Sequence, residues 1–205
     1  MYVPAKFRVG DDEAWRVVRD AGAGVLVRVT SSGLASVFVP VVVNDDHRTI
    51  TSHAARANPW CQGVEPGDEV LAVFLAASAY VTPSNYPSRL THPEVVPTWN
   101  YVAAEVRGRV RMHEEPAWKL AQVRSQTDRF EQGREPQWRV DDAPAKYIDQ
   151  QLKAIIGIEI EVISIEGKAK LSQNRPAEDF ESVRENLASG SFTERIVAQR
   201  MNLNE

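Results

Sequence analysis

Hydrophobic and polar positions change their rhythm several times along the chain, and each change marks an element. Asp11 and Asp12 precede a stretch in which Trp15 and Val18 fall on one face. That predicts a short helix through about Ala21, with Gly22 as its stop. The period then switches. "GVLVRVT" and "LASVFVPVVV" are rich in β-branched residues and are separated by "SSG", the pattern of a hairpin. "RTITSH" follows the turn-like "NDDH" and predicts a third strand. "ARANPWCQGVEPGD" is full of Gly and Pro, which predicts irregular backbone or a short helix at most. "EVLAVFLAASAYV" is a nearly continuous apolar run, suited to a strand buried on both faces. After the proline-rich loop "TPSNYPSRLTHPEVVP", "TWNYVAAEVRGRVRMH" returns to a strand pattern, with Gly108 at a bulge or bend.

Helical spacing dominates later. Pro116 opens "PAWKLAQVRSQTDRFEQG", a helix stopped by Gly133, and "DDAPAKYIDQQLKAIIG" predicts a second one stopped at Gly157. "IEIEVISIE" alternates as a last strand, and helices follow Pro176 and Ser191. The count is about six strands with helices added late. No β-α-β rhythm appears, so a parallel sheet is not expected. The pattern predicts a mainly β fold with added helices, a small antiparallel barrel whose closure removes exposed edges. Residues 1–205 read as one domain with a helical C-terminal part from about residue 176.

Composition narrows this picture. Hydrophobic residues make up 43% and charged residues 25% of the 205, which is globular. The single Cys61 excludes an intrachain disulfide and fits a reducing compartment. No signal peptide is expected in "MYVPAKFRVGDDE", and no apolar stretch is long enough to span a bilayer. A soluble cytoplasmic protein is expected. The formal net charge is -4, which gives no support to DNA as a direct partner, since phosphates call for a basic excess. Neither a helix-turn-helix nor a basic stripe stands out.

Much chemistry is absent from the pattern. There is no GxGxxG, no GxxxxGK[ST], no HExxH and no GxSxG, and the four His lack metal-ligand spacing. Cys61 has no obvious base and reads as a buried bystander.

Four polar segments remain. In "SHAARANP", His53 and Arg56 converge on an anion with Asn58 adding an amide, or Arg56 is a surface residue and Asn58 shapes a turn before Pro59. In "YVTPSNYP", Ser84 and Tyr86 sit in a loop stiffened by prolines, a binding surface or an ordinary loop. In "VPTWNY", Thr98, Trp99 and Asn100 combine a stacking surface with directional hydrogen bonds, or Trp99 is a core residue at a strand start. In "KAKLSQNRP", Lys170, Ser172, Gln173, Asn174 and Arg175 gather before a helix. Asn174 suits the cap of that helix and Ser172 suits local backbone bonds, but one cap needs one side chain. The excess polarity reads as contact with a ligand or another subunit. Together the segments suit a ligand with a phosphate and a flat aromatic ring. FMN has both, as do other phosphorylated heterocycles.

"MYVPAKF", "HAARANP", "YVTPSNYP", "VPTWNY", "GIEI" and "EGKAKLSQNRP" occur here in the order in which they occur in the PaiB family of FMN-binding negative transcriptional regulators, and the chain resembles that family from Met1 to about Pro176. The resemblance implies a six-stranded antiparallel split β-barrel, a homodimer, and FMN in the cleft between subunits. It implies cofactor contacts at His53, Arg56, Asn58, Ser84, Tyr86, Thr98, Trp99, Asn100, Lys170, Ser172, Gln173 and Asn174, and no metal. Ser52 replaces a Gly frequent in the family, and Ala169 a Trp. The rival reading is a flavin-dependent oxidoreductase using NAD(P)H. Haem binding, known in related split barrels, is a third. No catalytic residue is expected in any of them.

Overall fold

The computed structural model describes residues 1–202. Its elements are β1 (Arg8–Val9), α1 (Asp11–Ala21), β2 (Ala23–Thr30), β3 (Gly33–Pro40), β4 (Val42–Val43), β5 (Thr49–Ala55), β6 (Glu69–Val81), β7 (Thr98–His113), α2 (Pro116–Glu131), α3 (Ala145–Ala154), β8 (Ile155–Lys170), α4 (Ala177–Ala188) and α5 (Phe192–Met201). The mainly β architecture with added helices is as the sequence predicts. Eight strands replace the expected six among the described residues. β1 is two residues long, too short to show a period, and the strand expected over residues 34–43 is divided after Pro40 into β3 and β4.

Two compact units divide the chain. One comprises residues 1–21, 75–104 and 166–205; the other comprises 22–74 and 105–165. In the second unit β2 pairs antiparallel with β3 over its whole length, from Ala23 opposite Pro40 to Thr30 opposite Gly33. Residues 25–27 of β2 also pair with 71–73 of β6. β5 pairs antiparallel with the start of β8, His53 lying opposite Gly157. Leu26, Ile50, Phe74, Ile158 and Ile160 are fully buried, as period-2 alternation places them. The buried Arg28 donates through Nε to the Trp60 carbonyl at 2.9 Å and through Nη2 to the Gln62 carbonyl, while its guanidinium lies over the Trp60 ring. These bonds pin the short 3-10 helix Pro59–Cys61 that follows β5.

In the first unit β1 pairs antiparallel with the end of β8, Arg8 opposite Lys168 and Val9 opposite Gly167. Gly22 and Gly133 take positive φ after α1 and α2, as their roles as stops require. One helix end differs from expectation. α3 stops at Ala154, because Ile155 and Ile156 already belong to β8. Gly157 is a strand residue, and it is a glycine because Trp118 covers the place a Cβ would take.

Gly108 is a point of close approach. A Cβ there would stand 2.5 Å from the Glu161 carbonyl oxygen and closer still to Ile160 Cγ2. Backbone cannot yield as a side chain can, so Gly108→Ala is expected to cost about 1–3 kcal/mol. Urea unfolding should show a lowered midpoint with an unchanged slope.

Candidate functional site

The sequence-derived residues fall into two groups, one in each unit, and each group has its own geometry. His53 lies near the end of β5, and Arg56 and Asn58 follow that strand. His53 Nδ1 lies 2.8 Å from Gln122 Oε1 on α2. Asn58 Oδ1 accepts from the Trp60 N–H at 2.9 Å, so its side chain caps the short helix Pro59–Cys61. Arg56 is fully engaged. Nη1 and Nη2 donate to the two Glu114 oxygens at 2.6 and 2.5 Å, and Nε donates to the Lys153 carbonyl at 3.1 Å. The Arg56 hydrogen bonds hold the Glu114 carboxyl below its ordinary range, and Glu114 raises Arg56 in return. An anion reaching Arg56 must therefore displace a carboxylate already seated in its fork. Cys61 is buried. Burial pushes its thiol up against the opposing pull of Arg28, which leaves it unreactive at neutral pH.

The second group assembles around the end of β8. Lys170 Nζ donates to Thr98 Oγ1 and, at 2.9 Å, to the Trp99 carbonyl. Asn100 and Ser172 are buried and bonded to each other, with Asn100 Nδ2 at 2.9 Å from Ser172 Oγ. Ser172 takes φ 65°, a left-handed conformation rare outside glycine. The backbone turns sharply there, and the hydroxyl binds Asn100 across sequence rather than its local backbone as expected. Gln173 folds back on its own loop, accepting from the Leu171 N–H at 2.7 Å and donating to the Ala169 carbonyl. Asn174 does not cap α4. Pro176 takes the N-cap position without any side-chain bond, and Asn174 turns up instead in the wall of a cavity.

That cavity, of about 240 Å³, is lined by Thr98, Asn100, Lys170, Ser172 and Asn174 together with Lys6, Phe7, Val96, Pro97 and Arg175. Five of the expected residues thus share one wall. Lys6 and Arg175 were not among the expected contacts, although Arg175 stands in the same polar run. Among the described residues, no carboxylate lines the cavity, and three cations do. Burial first, and then the charges of Lys168 and Arg175, push the Lys170 ammonium below its ordinary pKa. The cavity thus concentrates positive charge that no acidic residue offsets among the described residues of its wall.

Tyr86 and Trp99 bound the same unit differently. Tyr86 is fully buried under the Arg175 guanidinium, 4.5 Å from its ring centre, and its hydroxyl has no hydrogen-bond partner among the described residues. Trp99 is 55% exposed and meets Tyr80 edge-on, ring centres 6.1 Å apart. Trp99 is therefore a surface aromatic and not a core one. Ser84 lies in the short 3-10 helix Pro83–Asn85, where its N–H is bonded by Thr82 Oγ1 at 3.3 Å.

Residues 1–164 match the protein-family model described as "Putative FMN-binding domain". The chain is 34% identical over 191 residues to the protease synthase and sporulation protein PAI 2 of Bacillus subtilis, covering 91% of this chain and 89% of that one. It is 29% identical over 208 residues to an uncharacterized protein of Emericella nidulans, covering 82% of each. Among solved structures, the FAD and heme binding protein of Mycobacterium smegmatis matches 90% of this chain and 80% of its own with a TM-score of 0.60 at 14% identity. The flavocytochrome Anf3 of Azotobacter vinelandii matches 88% and 78% with a TM-score of 0.61 at 14% identity. At such identities the likeness concerns the fold, which is of the split-barrel class. Among the described residues, no helix is long and apolar enough to cross a membrane.

Proposed function

The chain belongs to the PaiB family of FMN-binding domains, and from that premise we propose that it is an FMN-binding homodimer acting in negative transcriptional control. The observation that carries FMN is the cavity walled by Lys6, Lys170 and Arg175, with no carboxylate among the described residues of its wall. A phosphate monoester relieves the repulsion among these cations, and its oxygens accept from ammonium and guanidinium donors. Thr98, Asn174 and the Ser172–Asn100 pair supply the neutral hydrogen bonds that a ribityl chain needs. At about 240 Å³ the cavity is below the size that encloses a whole drug-sized ligand. It suits the phosphate end, and the exposed Trp99–Tyr80 pair offers the apolar surface for a flat ring. A bound flavin supplies the electron-transfer chemistry, and the protein supplies orientation and charge. These residues favour FMN over FAD because a terminal phosphate carries more charge into the cavity than a bridging one.

The homodimer rests on the outer face of the β2–β3 hairpin. Val25 pairs with Phe38 and Val29 with Leu34, and all four are exposed, Leu34 to 79%. Such a stripe on an edge hairpin is an association surface, and a second copy of the chain covers it. Light scattering of the wild type should give a dimer, and Phe38→Glu should give a monomer. A monomeric wild type would end this part of the reading.

The decisive experiment is the absorption spectrum of the purified protein and its fluorescence titration with FMN, FAD and riboflavin. FMN should bind most tightly, and riboflavin, which lacks the phosphate, least. Equal affinity for FMN and riboflavin would remove the phosphate from the cavity. Steady oxidation of NAD(P)H by the loaded protein would replace regulation by an oxidoreductase reading.

A further inference from the structure

The late part of β7 carries Arg107, Arg109 and Arg111 at alternate positions, and all three are exposed. Alternation puts them on one face, so the strand holds a basic row that the overall charge of -4 conceals. Arg109 and Arg111 join Arg48, Asp46, Glu159 and Glu161 in lining a groove of about 650 Å³ in the second unit. None of its residues lines the flavin cavity.

The groove holds three arginines and three carboxylates, but the two sets are not paired with each other among the described residues. Among the described residues, no hydrogen bond or ion pair engages the guanidinium of Arg48, Arg109 or Arg111. The carboxylates are more committed. Asp46 Oδ1 accepts from the Arg48 N–H at 2.9 Å, and Glu159 Oε2 lies 3.5 Å from His113 Nε2. Glu161 is the one lining carboxylate with no hydrogen bond or ion pair to its side chain among the described residues. Three guanidiniums without a partner thus face three carboxylates, two of which already make other contacts. Arg28, Arg56, Arg124 and Arg200, by contrast, all have carboxylates within reach.

We propose that this groove is a second ligand site, and that it takes a small oligophosphate of the nucleoside-diphosphate class. Guanidinium forks match phosphate oxygens in geometry as well as charge. Alternate strand residues stand about 6.7 Å apart, so Arg109 and Arg111 grip separate phosphates of one molecule. The volume lies in the range of small-molecule sites. The three carboxylates decide against a nucleic acid. A continuous phosphate backbone laid along β7 would meet Asp46, Glu159 and Glu161, whereas a single small molecule turns its phosphates to the arginines and its hydroxyl or amino groups to the acids.

The test is calorimetric titration of the flavin-loaded protein with ADP and with inorganic tripolyphosphate at about 0.15 M salt. Both should bind at one site per protomer. Arg109→Ala and Arg111→Ala should each weaken binding roughly tenfold, about one charge-assisted contact. Glu161→Gln should tighten it severalfold, since it removes a repelling charge. Opposite signs from neighbouring exposed side chains are not produced by a loss of folding. Flavin content should be unchanged in all three variants. The proposal falls if the wild type takes up neither compound, or if the arginine variants bind as the wild type does. It falls too if those variants shed flavin, which would make the groove part of the flavin site. Binding of duplex DNA that tripolyphosphate cannot displace would make it a nucleic-acid surface instead.

Discussion

Lys170→Ala is expected to weaken FMN binding by about ten- to a hundredfold while leaving riboflavin nearly unchanged. The ammonium reaches the cavity from the last residue of β8 and is fixed by Thr98 Oγ1 and the Trp99 carbonyl. A charge-assisted hydrogen bond to a phosphate contributes ~1.5–3 kcal/mol, and each ~1.4 kcal/mol is a factor of ten. The selectivity matters more than the size. A merely structural Lys170 would lower both affinities together by disturbing the Thr98–Asn100 segment. The pH dependence gives a second readout. Burial and the neighbouring cations lower the Lys170 pKa from the ordinary 10.5, so part of its charge is lost at a pH where a free lysine keeps it. FMN affinity should therefore decline with rising pH before the ordinary lysine range, and riboflavin affinity should not follow. Arg175→Ala should behave similarly toward FMN, with an added loss of stability because the guanidinium also covers the Tyr86 ring.

Asp179→Ala is expected to cost about 3 kcal/mol of stability, on the order of 6–12 °C in Tm for a chain of this length. The carboxylate is almost wholly buried in the first turn of α4. Oδ1 accepts from the Ser88 N–H at 3.0 Å and Oδ2 from the Ser88 hydroxyl at 2.7 Å. Removing it leaves two part-buried donors without their acceptor, and it also removes a negative charge from a helix N-terminus that favours one. Asp179→Asn keeps the shape and an acceptor oxygen and should recover part of the loss. The loop from Tyr86 to Leu90 is tied to α4 by this carboxylate, so the alanine variant should also expose that loop to protease. An unchanged Tm in Asp179→Ala would refute the account.

Local pattern made most of the strands legible, because each long one carries its own alternation or apolar run. It failed where two readings share a period. Residues 145–157 keep helical spacing into Ile155 and Ile156, and only pairing with β5 turns those residues into strand. The polar run at 168–176 was legible as more than a cap, and the cavity wall is its outcome. Lys6 was not legible, because nothing near residue 6 announces the antiparallel pairing of Arg8 with Lys168 that carries this segment to the end of β8. Arg56 shows the opposite failure. Its motif is visible, but the Glu114 that occupies its fork lies far along the chain, and sequence cannot tell an engaged guanidinium from a free one. The arginine row of β7 escaped for a related reason. A total charge averages over faces that the strand keeps apart.

The first unit is stitched from three separated stretches of chain, and its cationic cavity takes Lys6 from the first and Lys170 and Arg175 from the third. During synthesis the second unit has all its residues once residue 165 has emerged, whereas the first must wait for the stretch after it. Its opening segment, Phe7 and Trp15 included, stays without its native neighbours through most of translation. Contacts of such long sequence separation are slow to form, and a waiting apolar segment is exposed to aggregation. A ribosome stalled once residue 165 has cleared its exit tunnel should therefore carry a protease-resistant second unit beside an open N-terminus, and cofactor capture should be among the last events of folding.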